Sequence, residues 1–275
     1  MMVERATVAY DAGLASLTVG DHHAQGNWYQ QNTPALGRLL AEWPDRPAGC
    51  LFLMPLWHPV MVAEHVGTLA AHLDAPFIVQ TGVGGGADQF ASMGADLQTR
   101  GRVTDEAIRV VQLLLAGQEA HSDMLGVGPT TVGLRPSQTV EWWVGGHAPA
   151  ALRRAATLGT AWYGGPGLSV DDAAGLIAAY NDACAEAGTT PRSIMRRDAL
   201  GLADGARARA EAESIVSQGY RGMSLDRLLV GDPEGAQADL DALAEIGCSD
   251  VIIRNMSSGQ DQALETIRLL GELSE

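Results

Sequence analysis

Short apolar runs alternate along the chain with longer stretches whose apolar residues recur every three or four positions, and most of the longer stretches have readable ends. Val3 to Ala12 reads as a helix that opens the chain, and Pro59 begins another through Met61 and Leu69. Thr104, followed by Asp105 and Glu106, is expected to cap a helix whose apolar run is Ile108 to Leu115 and which Gly117 stops. Pro149 stands at a first helical position in a segment ended by Gly159. Ser169 opens a helix closed by Gly188, and Asp232 with Pro233 opens one closed by Gly247. Between the helices lie apolar strands: Ser16 to Val19, Leu51 to Met54, Phe77 to Thr81, Val140 to Val144, Ala161 to Tyr163, Met195 to Leu202 and Val251 to Arg254.

These strands lack clean apolar–polar alternation. Strands buried on both faces and separated by helices form a parallel sheet. Seven or eight such repeats in roughly 250 residues predict an α/β fold, a TIM-type (β/α)8 barrel, with chemistry at the strand C-terminal ends. A helix opens the chain, so the first barrel strand is expected to be lacking or truncated, or to lie upstream. No linker-like stretch, low-complexity tract or charge block divides the sequence, so residues 1–275 read as a single barrel domain.

Composition narrows the chemistry. Hydrophobic residues make up 46% of the 275 and charged residues 19%, which suits a packed core and excludes wholesale disorder. All 18 basic side chains are arginines. Without lysine there is neither Schiff-base chemistry nor a nucleotide-hydrolase phosphate loop. A net charge of −15 argues against nucleic acid and anionic membrane surfaces as partners. No apolar run approaches the roughly 20 residues of a membrane helix, and the first residues do not read as a signal peptide. Cys50, Cys184 and Cys248 are odd in number and far apart, fitting reduced, buried thiols in a cytoplasmic protein.

Three loops carry candidate chemistry. After the first strand comes Asp21-His22-His23. Asp21 and His23 are two apart on an extended chain and would face the same way, as metal ligands do. Alternatively a histidine there donates a proton or contacts a cofactor. Gly82 to Ala87 resembles a dinucleotide fingerprint, but the acid that should end a second strand falls at a helix start, at Asp105 and Glu106. The loop reads instead as a backbone that a flat cofactor can approach, or simply as a mobile turn. Trp142 to Ala150 is the strongest signal: Gly145 and Gly146 end a strand and a helix starts at once, a backbone anion site that needs no lysine. Trp28, Tyr29, Trp57 and Trp162 could wall a pocket for a flat ligand. Arg153 and Arg154 read as ion-pair partners of the acids, and Met54-Pro55 as a possible cis bond.

Taken in order, DAGLASLTVGDHH, the His58-Pro59 helix start, the glycine loop with its following helix, WWVGGHAPAALRRAATLGTAW and LVGDPEGAQADLDALAEIGCSDVIIR resemble the luciferase-like monooxygenases, which use flavin or the deazaflavin F420. The resemblance covers most of the chain. It implies an oxidoreductase acting on a small organic substrate, by oxygen activation with reduced FMN or by hydride transfer with F420. His22 would be the catalytic proton donor. Asp21, Phe52, Met54, Gln89, Gly145, Gly146, His147, Ala148 and Pro149 would contact the cofactor, with a non-prolyl cis bulge within Leu51 to Met54. Trp28 and Trp57 would line the substrate pocket. The family habit implies a homodimer, and FMN would imply a separate flavin reductase. Some flavin-using members carry an arginine in the glycine loop; this loop has none, which leans toward F420, while the acidic surface leans the other way. The two remaining readings are a non-catalytic flavin-binding or interaction protein on the same scaffold, and a metal-dependent barrel hydrolase using Asp21 and His23.

Overall fold

The structure is a computed structural model and describes residues 1–24, 26, 29–201, 205–257 and 259–273. The chain divides into two compact units, one of Ser16–Thr160 and one of Met1–Ala15 with Ala161–Glu275. A helix, α1 (Met2–Asp11), opens the chain.

The unit of Ser16–Thr160 runs β1 (Leu17–Val19), α2 (Asn32–Leu39), β2 (Ala48–Leu53), α3 (Pro59–Ala70), β3 (Phe77–Gly82), α4 (Ala87–Ser92), α5 (Arg100–Leu115), β4 (Ala120–Ser122), β5 (Val127–Thr130), β6 (Val140–Gly145) and α6 (Pro149–Leu158). Four strands form a parallel sheet in the order β1-β2-β3-β6. β4 and β5 make a separate antiparallel pair. Phe77, Ile78 and Val79 are wholly buried, as a central parallel strand requires. α3 buries Val62, Ala63, Val66 and Ala70, one stripe at helical spacing. On β2, a Cβ on Gly49 would run into the Ile78 carbonyl of β3, so only glycine permits that approach.

In the other unit the chain continues through β7 (Ala161–Gly164), α7 (Val170–Ala187), β8 (Ser193–Leu200), α8 (Gly205–Ser217), β9 (Leu228–Val230), α9 (Pro233–Glu245), β10 (Cys248–Asn255) and α10 (Gln260–Leu273). β8 is the hub, paired in parallel with β7, β9 and β10. Ala199 packs with Leu229, Ala236 and Leu270. α1 is tied to α10 by the Arg5 Nε to Gln260 Oε1 bond of 3.0 Å. The expected caps form: Ser169 Oγ accepts from Asp172 N–H at 3.0 Å, Asp232 Oδ1 accepts from Gly235 N–H at 2.9 Å, and Gly188 closes α7 at φ 71°.

Several boundaries differ from the sequence reading, each for a physical reason. β2 starts at Ala48 and ends at Leu53, with Met54–Leu56 a 3-10 turn; Pro55 has no N–H to continue the ladder. α5 starts at Arg100, so Thr104 is not a cap: it is buried inside the helix and its hydroxyl donates to the Arg100 carbonyl at 2.8 Å. The added turn is held by Arg154 of α6, which donates to the Gly101 carbonyl at 3.0 Å and pairs with Asp105. β8 begins at Ser193 and is described to Leu200, with Leu202 outside the described residues. Trp162 is not a pocket wall: it lies within β7, wholly buried, 6.3 Å from the Tyr180 ring. No peptide bond among the described residues is cis, so neither Met54-Pro55 nor the Leu51 to Met54 segment carries the expected cis bulge. The three cysteines are free and buried. Among the described residues, no helix is long and apolar enough to cross a membrane.

Candidate functional site

The site is built at the C-terminal ends of β1, β2, β3 and β6. β1 pairs with β2 only as far as Val19 opposite Cys50. Beyond that point side chains replace the ladder. Asp21 Oδ2 accepts from the Leu53 N–H at 2.7 Å and from the Trp57 indole N–H at 2.8 Å. Asn32, the first residue of α2, donates to the Leu51 carbonyl at 2.6 Å. The loop carrying the histidines is thereby strapped at two points to the end of β2.

Asp21 Oδ1 and His23 Nε2 stand 3.0 Å apart, close enough for an ion pair but off the line of a good hydrogen bond, and both are buried. The His23 N–H donates to Gln89 Oε1 at 2.9 Å, and Gln89 Nε2 donates to the Gly85 carbonyl at 3.0 Å. Gln89 therefore ties the glycine loop to the histidine loop. The His23 ring meets Trp57 edge-on at 5.3 Å, and Trp57 meets Phe52 at 5.3 Å and His65 at 5.8 Å. His22 is different: its ring is only half-buried and lies edge-on to Tyr29 at 5.5 Å. Of the two histidines it is the one whose side chain is more open to solvent.

The tight glycine turn expected between strand and helix forms at the end of β6. Gly145 ends the strand, Gly146 adopts φ 133°, and Pro149 opens α6. A Cβ on Gly146 would come within 2.6 Å of the Ala151 methyl, so the turn admits only glycine. His147, Ala148 and Pro149 are exposed. Behind them Trp143 is fixed by its indole N–H to Glu141 Oε2 bond of 2.8 Å.

Sequence reasoning missed Gln80 and Thr81, which end the apolar run of β3. Both are buried, and Gln80 Nε2 and Thr81 Oγ1 find no hydrogen-bond partner among the described residues. Such orphans are uncommon and point to a group the protein itself does not supply. Adjacent strand residues face opposite sides, so one of the two serves a ligand on any one face. The signal legible in the sequence was the pair of polar residues in an otherwise apolar central strand. The anchoring role of Trp57 and the Asn32 strap left no such trace. Phe52 and Met54 are wholly buried and support the site from the core. Trp28 lies outside the described residues. Asp21 and His23 do come together, but among the described residues no group of three or more His, Cys, Asp or Glu stands together as a metal set.

Cys50 sits behind Asp21. Burial first, and the Asp21 charge second, push its thiol well above the ordinary value. A raised thiol pKa keeps the folded state protonated while the unfolded chain ionises near pH 8.5. That contribution is complete below about pH 8.5 and is lost as pH rises toward the folded value, so stability falls on the alkaline side. The melting temperature should drop between pH 8 and 10 in the native protein and drop less in Cys50→Ala. Parallel curves for the two proteins would remove Cys50 as the cause.

Residues 1–247 match the family described as luciferase-like monooxygenase. A protein of Mycobacterium tuberculosis, described as uncharacterized, is 34% identical over 139 residues, 50% of this chain and 48% of that protein. The chain thus matches about half the length of the curated relatives. Three solved structures share the fold. Monooxygenase RslO1 from Streptomyces bottropensis superposes with a TM-score of 0.81 at 18% identity, covering 98% of this chain and 92% of that one. The coenzyme F420 dependent tetrahydromethanopterin reductase from Methanopyrus kandleri gives 0.75 at 15% identity, covering 98% and 93%. The oxygenating constituent of 3,6-diketocamphane monooxygenase from Pseudomonas putida, in complex with FMN, gives 0.78 at 15% identity, covering 98% and 90%.

Proposed function

Because the chain belongs to the luciferase-like monooxygenase family, we propose that it is an oxidoreductase that binds a reduced FMN or F420 at the strand ends of the Ser16–Thr160 unit and oxidises or reduces a small organic substrate. The observation that carries this reading is the Gly145-Gly146 turn, where the absent Cβ leaves the start of α6 open to a phosphate. Whichever of the Gln80 amide nitrogen and the Thr81 hydroxyl lies on the ligand face, both buried and unpartnered among the described residues, fits the same reading, since a flavin-type ring carries carbonyl and ring-nitrogen groups along one edge. When bound, the cofactor supplies the reducing equivalents, spent on oxygen activation or on direct hydride transfer.

The residues of the chain hold and shape. The turn of Gly145, Gly146 and Ala148 receives the phosphate at the start of α6, which Pro149 opens, with the helix dipole favouring its negative charge. Asp21 fixes the ends of β1 and β2 and orients Trp57. The Trp57 and Tyr29 rings keep water from the reacting face. His22 gives or takes a proton at an imidazole nitrogen. The glycine loop Gly82 to Ala87 contains no arginine, and on that ground the reading favours F420. With FMN, a separate flavin reductase would supply the reduced form. A homodimer in the cytoplasm completes the proposal; free buried thiols suit a reducing compartment.

An anaerobic titration with reduced FMN and reduced F420 in parallel, followed by tryptophan fluorescence, tests the reading. Saturable binding of either supports it and chooses the chemistry; binding of neither overturns it. The Gly146→Ala variant should bind the preferred cofactor about tenfold more weakly, because the new methyl meets Ala151 and displaces the turn. Undiminished affinity would place the phosphate elsewhere.

A further inference from the structure

The unit of Met1–Ala15 and Ala161–Glu275 contains a second charged cluster that the proposed cofactor chemistry does not use. Asp198 of β8 is wholly buried. Arg196, two residues earlier on the same face of the strand, gives its Oδ1 two bonds, from Nε at 3.0 Å and from a terminal nitrogen at 2.7 Å. The Tyr220 hydroxyl donates to Oδ2 at 2.6 Å. Those three bonds satisfy the carboxylate. Directly across the ladder, in register with Asp198, β10 places Arg254. Its guanidinium donates to the Tyr220 oxygen at 2.9 Å and lies 3.8 Å from Asp198 Oδ2.

Two guanidinium groups thus face one carboxylate that the first has already neutralised. Arg254 remains a surplus cation, with 47% of its side chain exposed. Its Nε and second terminal nitrogen, the two-donor edge of the group, bond to nothing among the described residues. Arg221 adds a third positive charge: it is held at φ 49°, uncommon for a residue with a side chain, and its guanidinium carbon lies 5.8 Å from the centre of the Tyr220 ring. Because Ala199 points to α9 and α10, Arg196 and Asp198 point to the opposite face of β8. A concentration of positive charge is costly to leave uncompensated, and here it persists in a chain of net charge −15 that has acids in excess.

We infer that Arg254, held in place by Tyr220 and Asp198, is a binding site for the oxyanion of a small ligand, either a carboxylate or a phosphate. The free edge of the guanidinium is a planar fork that matches two oxygens of one such group. Asp198 and Tyr220 are positioning residues: with the carboxylate saturated by Arg196 and the phenol, it steers Arg254 without cancelling its charge. The inference goes beyond the cofactor reading and stands or falls separately from it.

Calorimetric titration of the whole chain at low salt tests it, with benzoate in one arm and inorganic phosphate in the other. One of the two probes should saturate a site, benzoate identifying a carboxylate ligand and phosphate a phosphorylated one. Arg254→Gln should weaken that binding about tenfold or more, with the circular dichroism and melting temperature of the native protein. Gly146→Ala should leave the Arg254-dependent binding intact, which separates this site from the cradle at α6. Equal affinity in Arg254→Gln, or no saturable binding of either probe to the native protein, would overturn the inference.

Discussion

Replacing His22 by alanine should lower turnover by about a hundredfold or more while reduced-cofactor affinity stays close to native, because on the proposed reading a positioned proton donor acts in the transition state and adds little to ground-state binding. His22 is the half-buried histidine of the pair, touching Tyr29 by its ring edge, and its backbone carbonyl accepts from Gln31 Nε2 at 3.2 Å. Its loss therefore leaves the fold intact, and the melting temperature should not move. The measurement is kcat beside the cofactor Kd for native protein and His22→Ala. Unchanged kcat would take His22 out of the reaction; a joint loss of affinity and kcat would make it a binding residue instead.

Asp21→Ala acts on stability first. The substitution strips the acceptor from the Leu53 N–H and the Trp57 indole N–H, which sit 2.7 and 2.8 Å from Oδ2. A buried donor left without an acceptor costs about 1–3 kcal/mol, so the pair should cost about 3 kcal/mol, or a fall of about 6–12 °C in Tm. Asp21→Asn retains one acceptor oxygen and should recover part of that loss. Both variants should also depress turnover, since the histidine loop loses its anchor on β2. Denaturation of the three proteins decides the matter: an Asp21→Ala midpoint equal to native would mean that water replaces the carboxylate at both donors.

Much of this arrangement was legible in the residue pattern. Pro149 and Gly146 announce a helix start and a glycine-only turn because each meets a local backbone requirement, a fixed φ in one case and a positive φ in the other. Ser169 and Asp232 cap helices by bonding to an N–H three residues on, which is equally local. The failures share the opposite character. Thr104 looks like a cap, yet Arg154, distant in sequence, binds Gly101 and Asp105 and carries the helix back to Arg100. Ala48 and Gly49 have little intrinsic preference for a strand; close packing on Ile78 puts them in one.

The sequence alone settled the class of fold and the family, because apolar periodicity, caps and turn glycines act within a few residues and survive in the linear pattern. It also settled which chemistries were out of reach, since a chain without lysine has no lysine chemistry. Tertiary structure decided how the candidates are held: that the His23 backbone is tied to Gln89 and its ring lies against Asp21 while the His22 ring is half-buried, that Trp57 is anchored on Asp21, and that Arg254 stands beside an Asp198 already bonded by Arg196 and Tyr220. Those outcomes depend on hydrogen bonds and ion pairs between residues far apart in the chain. Only parallel strand pairing brings such residues together, and no local pattern records which partners meet.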